Sequence, residues 1–353
     1  MDFILNGQAS GSVANTLMQN NFDPNVLRPW VGQDNQSYID VPTGNKDEEG
    51  NIIAQPRLVG NNATLRKDEW KAMDQAVVQI ARQRLRVFNE LRGANSYTIP
   101  NGMAKTVLEY EDQSDITGAE ISMDGLSRAA GDRPVYDLKT LPLPIIHKDF
   151  QFSARQVMTS RNGNTPLDTT SAEMAAIKVA EEVEKLTLGV SSSYKYGGGE
   201  IFGFTNFPSR LTKTITAPTG SNNATVVTEI LEMRQQAYDA NHYGPYVLYC
   251  SPLWDQYLDT DYSSAKGDNT LRDRIRAISN ITDIRTADYL TGTQLILVQQ
   301  TANVARAVVG MDITTVQWES QGGMQLNYKV MAILVPQLRA DQAGNTGIVH
   351  GSV

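Results

Sequence analysis

The first 64 residues constrain this chain most, because they have no means of building a core of their own. They are rich in Asn, Gln, Gly, Asp and Pro, and carry three basic residues against seven acidic ones. Neither a helical nor an alternating apolar period runs through them. A segment of this kind does not collapse alone, yet it contains the apolar islands Trp30-Val31 and Tyr38-Ile39, with Val41 close behind. Ordering it costs about 1–2 kcal/mol per residue, so some other surface has to be offered to it, and a neighbouring subunit is the expected one. Extended, the segment reaches roughly 200 Å at ~3.3 Å per residue, whereas a compact body of this length has a radius near ~20 Å. Trp30, Tyr38 and Ile39 are therefore candidate inter-subunit contacts. A flexible tail is the alternative.

The remainder can bury a core. Of 353 residues, 41% are apolar and 20% charged, which excludes wholesale disorder and any fibrous repeat and fits one elaborate unit or two compact ones. Thirty-one basic and 39 acidic side chains leave a net charge of −8. That sign repels phosphate and argues against sequence-specific reading of nucleic acid, while allowing a container that does not adhere to a polyanion. The single cysteine, Cys250, forms no internal disulfide and sits in the apolar run Tyr246–Cys250, where a buried, inert thiol is expected. The start, Met1-Asp-Phe-Ile-Leu-Asn, lacks the basic and apolar regions of a signal peptide. No stretch approaches the ~20 apolar residues of a membrane span. A reducing, aqueous compartment and no membrane partner are expected.

Along the chain, Thr64 can cap a helix that carries Trp70, Met73, Val77, Ile80, Val87 and Leu91 at helical spacing and ends at Gly93. Arg82, Arg84, Arg86 and Arg92 read as a solvated face that pairs with acidic neighbours, a phosphate contact being the alternative. Residues 94–140 lose compactness: Asn101-Gly102 signals a turn, Lys105–Tyr110 alternates like a strand, and a polar loop runs from Gly118 to Asp132. This predicts a long projecting hairpin, and an excursion of that length more often serves interaction than packing. Tyr110, Met123 and Tyr136 are its candidate contact residues. A strand is predicted over Ile145–Phe152, then a helix opened by the capping box Thr170-x-x-Glu173 and closed by Gly189. Residues 205–316 read as a separate α/β unit with a helix near Thr225–Ala240 and a strand at Tyr246–Cys250. Ser251-Pro252 and Asp268-Asn-Thr270 cap two short helices there, and strands follow at Gln294–Gln299 and Val304–Val309. Leu326–Val335 is a strand returning to the first body, and the polar run after Leu338 is expected to be a surface extension.

No constellation of chemistry emerges. His147, His242 and His350 are far apart in sequence and none neighbours a second ligand at zinc-binding spacing. There is no nucleophile elbow and no Walker or dinucleotide fingerprint, and glycines 197–199 read as a turn. The acidic groups at Asp47-Glu-Glu49, Glu109 to Asp115, and Glu181, Glu182 and Glu184 read as solvated, with Glu181 and Lys185 as an i,i+4 pair. No catalytic, cofactor-binding or metal-ligating residue is assigned, and a non-enzyme is expected.

Several runs, in their order, resemble the encapsulin-like branch of the tailed-bacteriophage major capsid proteins, whose shared architecture is the α+β Hong Kong 97 fold. Leu65–Asp74 is similar to the Trp-bearing first helix of encapsulins. Leu141-Pro-Leu143 with Phe150-Gln-Phe152 resembles the strand after the extended loop, and Lys178–Glu182 the acidic end of the spine helix. Gly203-Phe204, Tyr243–Leu248 with Trp254, and Val309-Gly-Met-Asp312 resemble later family runs. The resemblance implies an N-terminal arm (1–64), a first peripheral helix (65–93), an extended loop (94–140), a peripheral domain with the spine helix (141–204), an axial domain (205–316), and a return strand with C-terminal tail (317–353). It implies homo-oligomerisation into pentamers and hexamers of an icosahedral shell, with scaffolding, portal and decoration proteins as further partners and packaged double-stranded DNA held without sequence specificity. Assembly in a host cytoplasm and residence in a virion follow from the same resemblance.

Encapsulins generally lack an arm like residues 1–64, which favours a phage shell over a protein-cargo compartment. With Met1 present, no removed scaffolding prodomain is expected. Some family members cross-link a loop Lys to a neighbour's Asn; Lys105 and Lys139 lie near the loop, but nothing around them matches a motif, and that chemistry is not carried over. An enzyme with a lid over residues 94–140 is the remaining alternative.

Overall fold

The computed structural model describes residues 28–46, 52–58, 65–113, 119, 121–123, 133, 136–163, 168–262, 269–320, 324–341 and 344–353. It opens with an antiparallel sheet of β1 (Trp30–Val31), β2 (Ser37–Lys46) and β3 (Ile52–Leu58). Helices α1 (Lys67–Arg84) and α2 (Val87–Ala94) follow, then β4 (Ser96–Thr98), the hairpin β5 (Val107–Gln113) and β6 (Tyr136–Pro142), and β7 (Ile146–Ser153). Next come α3 (Ala154–Asn162), the long α4 (Thr170–Leu188), a small hairpin of β8 (Lys195–Tyr196) and β9 (Gly199–Glu200), and β10 (Leu211–Thr214). The chain then runs through α5 (Asn223–Asp239), β11 (Tyr246–Cys250), α6 (Pro252–Leu258), α7 (Leu271–Arg276), β12 (Ile281–Thr286) and β13 (Leu295–Gln299). It ends with β14 (Ala305–Ser320), β15 (Gln325–Leu338) and β16 (Ile348–Ser352).

Two sheets organise these elements. One has the order β4-β14-β15-β7 and the other the order β10-β16-β13-β11-β12. Strand β15 is the spine of the first. Leu326, Tyr328 and Val330 alternate inward along its first half, as a half-covered strand requires. Its second half is buried on both faces: Ala332 and Leu334 join the core under α1 and α4, while Ile333 and Val335 join a second cluster with Leu108, Leu141 and Ile201. Small residues bring α4 close to that core, since Ala172, Ala175, Ala176 and Ala180 are buried along it. Thr169 stands at the N-cap and its side chain caps no backbone N–H, so the predicted Thr170–Glu173 capping box does not form; instead Asp168 accepts the Thr170 N–H at 3.0 Å and the Thr169 hydroxyl donates to Glu173 at 2.8 Å. Gly189 closes the helix in the left-handed region, at φ 81°.

Several expectations change. The single helix expected to end at Gly93 is broken at Leu85-Arg86 into α1 and α2. The cause is Glu184 of α4, whose carboxylate accepts the N–H of Val87 at 2.6 Å and of Phe88 at 3.2 Å. This caps α2 from another element, and Glu184 is 2% exposed rather than solvated. Glu181 pairs with Lys178 at 2.8 Å instead of Lys185, whose ammonium lies 5.5 Å from the Tyr289 ring. The strand predicted at Val304–Val309, read with the α/β unit, is the start of β14 and runs in the first sheet between β4 and β15. The stretch after Leu338 is not a surface extension: β16 is inserted between β10 and β13, with Ile348 and Val349 fully buried. The polar residues before it conceal a five-residue strand too short to show a period. Helix α3 went unforeseen although Ser153 and Gln156 cap it reciprocally. Thr64, Asp268 and Asp47-Glu-Glu49 lie outside the described residues.

Burial pushes the Glu184 carboxyl up to about 7 against the pull of the Val87 and Phe88 N–H groups. Because the folded value lies above the ordinary 4.5, the folded state holds the proton more tightly than the unfolded one. Stability from this group is complete below about pH 4.5 and is lost as pH rises through about 7. Thermal unfolding should show wild type losing on the order of 3 kcal/mol relative to Glu184→Gln across that window. Glu184→Ala should cost about 1–3 kcal/mol for each orphaned N–H below about pH 4.5, and its cost relative to wild type should shrink as pH rises through about 7.

Candidate functional site

The six residues expected at subunit contacts fall into two groups. Trp30 and Tyr38 stack with ring centroids 5.2 Å apart, the Trp30 indole donates to Asp40 at 3.3 Å, and the Lys67 ammonium lies 4.8 Å from the Trp30 ring. Ile39 is 2% exposed and buried by its own chain, so its side chain presents nothing to a neighbour. The described part of the arm therefore rests on α1 of the same molecule: Trp70 donates to the Pro29 carbonyl at 3.0 Å and Arg28 pairs with Asp74. Trp30, Tyr38 and Ile39, named as candidate inter-subunit contacts, thus also have partners within their own molecule. Sequence pattern offered no sign of this, because the partners are 41 and 46 residues away.

The second group sits on the β5–β6 hairpin. Its register runs from Val107 opposite Pro142 to Gln113 opposite Tyr136. At the base, Leu108 and Leu141 are buried with Leu143, Ile201, Ile333 and Val335. A Cβ on Gly199 would lie 2.0 Å from the Thr140 carbonyl oxygen, so glycine lets the β8–β9 turn back onto β6. Arg339 donates to the Glu111 carbonyl at 3.0 Å, and its guanidinium lies 5.5 Å from the ring of half-buried Tyr110. Outward from that anchor the cover ends. Tyr136 and Leu138 are 56% and 59% exposed, and Ile121 and Met123 are fully exposed. Most of the polar loop from Gly118 to Asp132 lies outside the described residues.

Sequence reasoning missed Leu138 and Ile121. The alternation Tyr136-x-Leu138 places both side chains on one face of β6 and could have revealed the first. It also missed an apolar patch beside the hairpin base, where exposed Ile145, Tyr194 and Tyr196 line a 390 Å³ groove with Met331 and His147. Two of the four arginines read as a solvated face do pair with acids, Arg86 with Asp288 and Arg92 with Asp312.

The polar side chains do not converge. His147 on β7 faces Asp149 at 3.6 Å, His242 in the turn before β11 contacts Gln299 at 3.0 Å, and His350 on β16 accepts from Arg210 at 3.4 Å. Among the described residues no three His, Cys, Asp or Glu side chains gather as a metal site would need, and no helix is long and apolar enough to cross a membrane. Burial raises the Cys250 thiol to about 11, which keeps it un-ionised at neutral pH.

A family model described as a family of unknown function, DUF6260, matches residues 60–351. A type 1 encapsulin shell protein, EncA of Myxococcus xanthus, is 27% identical over 195 residues, or 53% of this chain and 61% of that relative. The chain thus spans less than two thirds of that relative's length. Among solved structures, a virus-like particle from Pyrococcus furiosus superposes with a TM-score of 0.60 at 14% identity, covering 80% of this chain and 99% of the other. The capsid of Myoviridae phage XM1 gives 0.53 at 9% identity, covering 70% and 85%. A Mycobacterium phage Bobi chain gives 0.53 at 12%, covering 75% and 90%. These likenesses show the Hong Kong 97 fold, a shell-forming architecture of mixed helix and strand.

Gly199→Ala forces the β8–β9 turn off Thr140 and should tilt or loosen the hairpin. Hydrogen exchange at Glu109 to Glu111 and Leu138 to Thr140 should rise by roughly tenfold or more, while β13 and β15 stay protected. Unchanged exchange would show that this glycine does not hold the hairpin.

Proposed function

The chain belongs to DUF6260, a family of unknown function, and we propose that it is a phage major capsid protein that self-assembles into an icosahedral shell around double-stranded DNA. The observation that carries this is the hairpin whose anchored base gives way to uncovered Tyr136, Leu138, Ile121 and Met123. Large apolar side chains left bare on a projecting element mark an interaction surface, and on a shell fold the available partner is another copy. Standard interfaces bury roughly 1,600 Å², and a projecting hairpin adds area that a compact body lacks. In this reading residues 205–304 with β16 form the axial body, the four-stranded sheet with α4 the peripheral one, and 94–140 the extended loop. Pentamers and hexamers, a portal, scaffolding and decoration proteins, a virion location and assembly in the host cytoplasm belong to the same proposal. The net charge of −8 suits a wall that does not trap DNA.

A second reading, a compartment shell around protein cargo, draws on the M. xanthus relative. The β1–β3 arm favours the phage shell. Purified protein viewed by electron microscopy should show closed particles, and particles from infected or induced cells should contain nuclease-protected DNA. Copurified enzyme cargo without DNA would replace the first reading with the second, and a persistent monomer at high concentration would remove both.

Ile121→Asp combined with Met123→Asp tests the carrying observation. Closed particles should disappear in favour of capsomers or monomers. The subunit's unfolding temperature should change little, because neither side chain touches its own core. Particles that still close would show that the hairpin tip is not an assembly contact.

A further inference from the structure

The cations along α1 are only partly absorbed by the fold. Arg92 is held by Asp312 at 2.6 and 3.0 Å, and Arg86 faces Asp288 at 3.2 Å. Arg82, Arg84 and, three turns before Arg82, Lys71 are exposed and have no ion pair among the described residues. Helical spacing sets Lys71, Gln75, Gln79 and Arg82 along one stripe of about 16 Å, at ~1.5 Å per residue, and all four are exposed. The exposed acid on that face, Asp68, stands a turn earlier, where the helix dipole favours it. From Gln75 to Asn89 the sequence holds three arginines and no acid, a local reversal of sign on a chain of net charge −8.

The stripe ends at a groove of about 830 Å³ between α1, α2 and β14. Arg82 and Arg92 stand at its rim, Asn89 and Ser96 add uncharged hydrogen-bonding groups, and buried Leu85 and Leu334 floor it. That mixture fits a sugar-phosphate chain. Guanidinium, ammonium and amide donors meet phosphate oxygens, and an apolar floor meets the face of a deoxyribose. Arg86 and Arg92 each face a single protein carboxylate. Lys71 and Arg82 instead have two amides between them, a spacing that a continuous row of anionic oxygens matches. Four residues of helix rise ~6 Å, close to the ~7 Å by which two steps of one strand advance along a duplex axis.

We infer that the outer face of α1 from Lys71 to Arg82, with the adjoining groove, is a surface for the phosphodiester backbone of double-stranded DNA, which it positions without reading bases. This deepens the phage-shell reading and rests on it, because that reading supplies the polyanion. Two unpaired cations on the stripe make a weak contact, and a shell repeats it in every copy. A weak, repeated contact aligns enclosed DNA against a wall whose overall charge still lets it slide.

Titration of full-length protein into a fluorescent DNA duplex of random sequence tests it. Wild type should bind at low salt and release the duplex as salt rises. Lys71→Gln with Arg82→Gln should weaken binding by roughly tenfold. The slope of log affinity against log salt should become shallower by about 1.8, at ~0.9 per phosphate neutralised. Glutamine is a good helix former, so the exposed face should keep its fold. Lys148→Gln with Arg155→Gln removes the same charge from exposed positions on β7 and α3 and should leave affinity within roughly twofold. Equal loss in the two pairs, or no salt-sensitive binding by wild type, would overturn the inference while leaving the shell reading in place. Electron microscopy of the same proteins separates the two claims. Closed particles should form in wild type and in both variants. Particles lost only in the Lys71/Arg82 variant, with its DNA affinity unchanged, would make the stripe a contact between copies and overturn the inference. A wild type that binds duplex but never closes would strike the shell reading, and the inference with it.

Discussion

The carboxylate of Glu184, sealed between α4 and the first turn of α2, fixes the geometry on which the two sheets depend. By accepting the Val87 and Phe88 N–H groups it starts α2 at a defined angle to α1. Helix α2 then ties the bodies together. Its Glu90 receives the Tyr249 hydroxyl at 3.1 Å and the Arg285 guanidinium at 2.9 Å, both from the five-stranded sheet, and Arg92 grips Asp312 on β14. Arg86, just before it, pairs with Asp288. The core under α4 extends through Tyr249, Ile296 and Val298 of one sheet into Ala305, Ala307 and Val330 of the other. A subunit built this way holds its two sheets as one continuous packed body and leaves the outer part of the projecting hairpin short of cover.

That division of labour suits a shell. Interactions within the subunit are deep, and among the exposed apolar groups Ile121, Met123, Tyr136 and Leu138 lie on the hairpin, with Ile145, Tyr194 and Tyr196 beside its base. The β5–β6 base is locked by buried Leu108 and Leu141, which pack in one cluster with Ile333 and Val335 of β15, and by the Gly199 approach to Thr140. The described portion of the arm stacks Trp30 on its own Tyr38 and meets α1 of the same molecule through the Lys67 ammonium near the Trp30 ring and the Trp70–Pro29 bond.

Much of the fold was legible because its elements are long and periodic. The apolar run Tyr246–Cys250, the Ser251-Pro252 cap and the strand at Leu326–Val335 all announce themselves locally and appear in the structure. What was not legible depended on partners distant in sequence. The break between α1 and α2 is dictated by a glutamate 97 residues away, and nothing in the local pattern marks Leu85-Arg86 as an end. Strand β16 is five residues long and carries a His and a Gly, so its burial comes from its place between β10 and β13 rather than from its own hydrophobicity. At the candidate site, Met123 and Tyr136 could be named from their position in a long excursion. Tyr194, Tyr196 and Ile145 could not, because their convergence beside the hairpin base is a tertiary fact.

The central claim is that this polypeptide binds copies of itself into a closed container. Mass measurement of intact, purified particles tests it most directly. The account predicts one discrete, very large species whose protein mass is an icosahedral multiple of the subunit mass. A continuous distribution of small oligomers, or a monomer that persists at every concentration and salt condition at which it stays soluble, would contradict it.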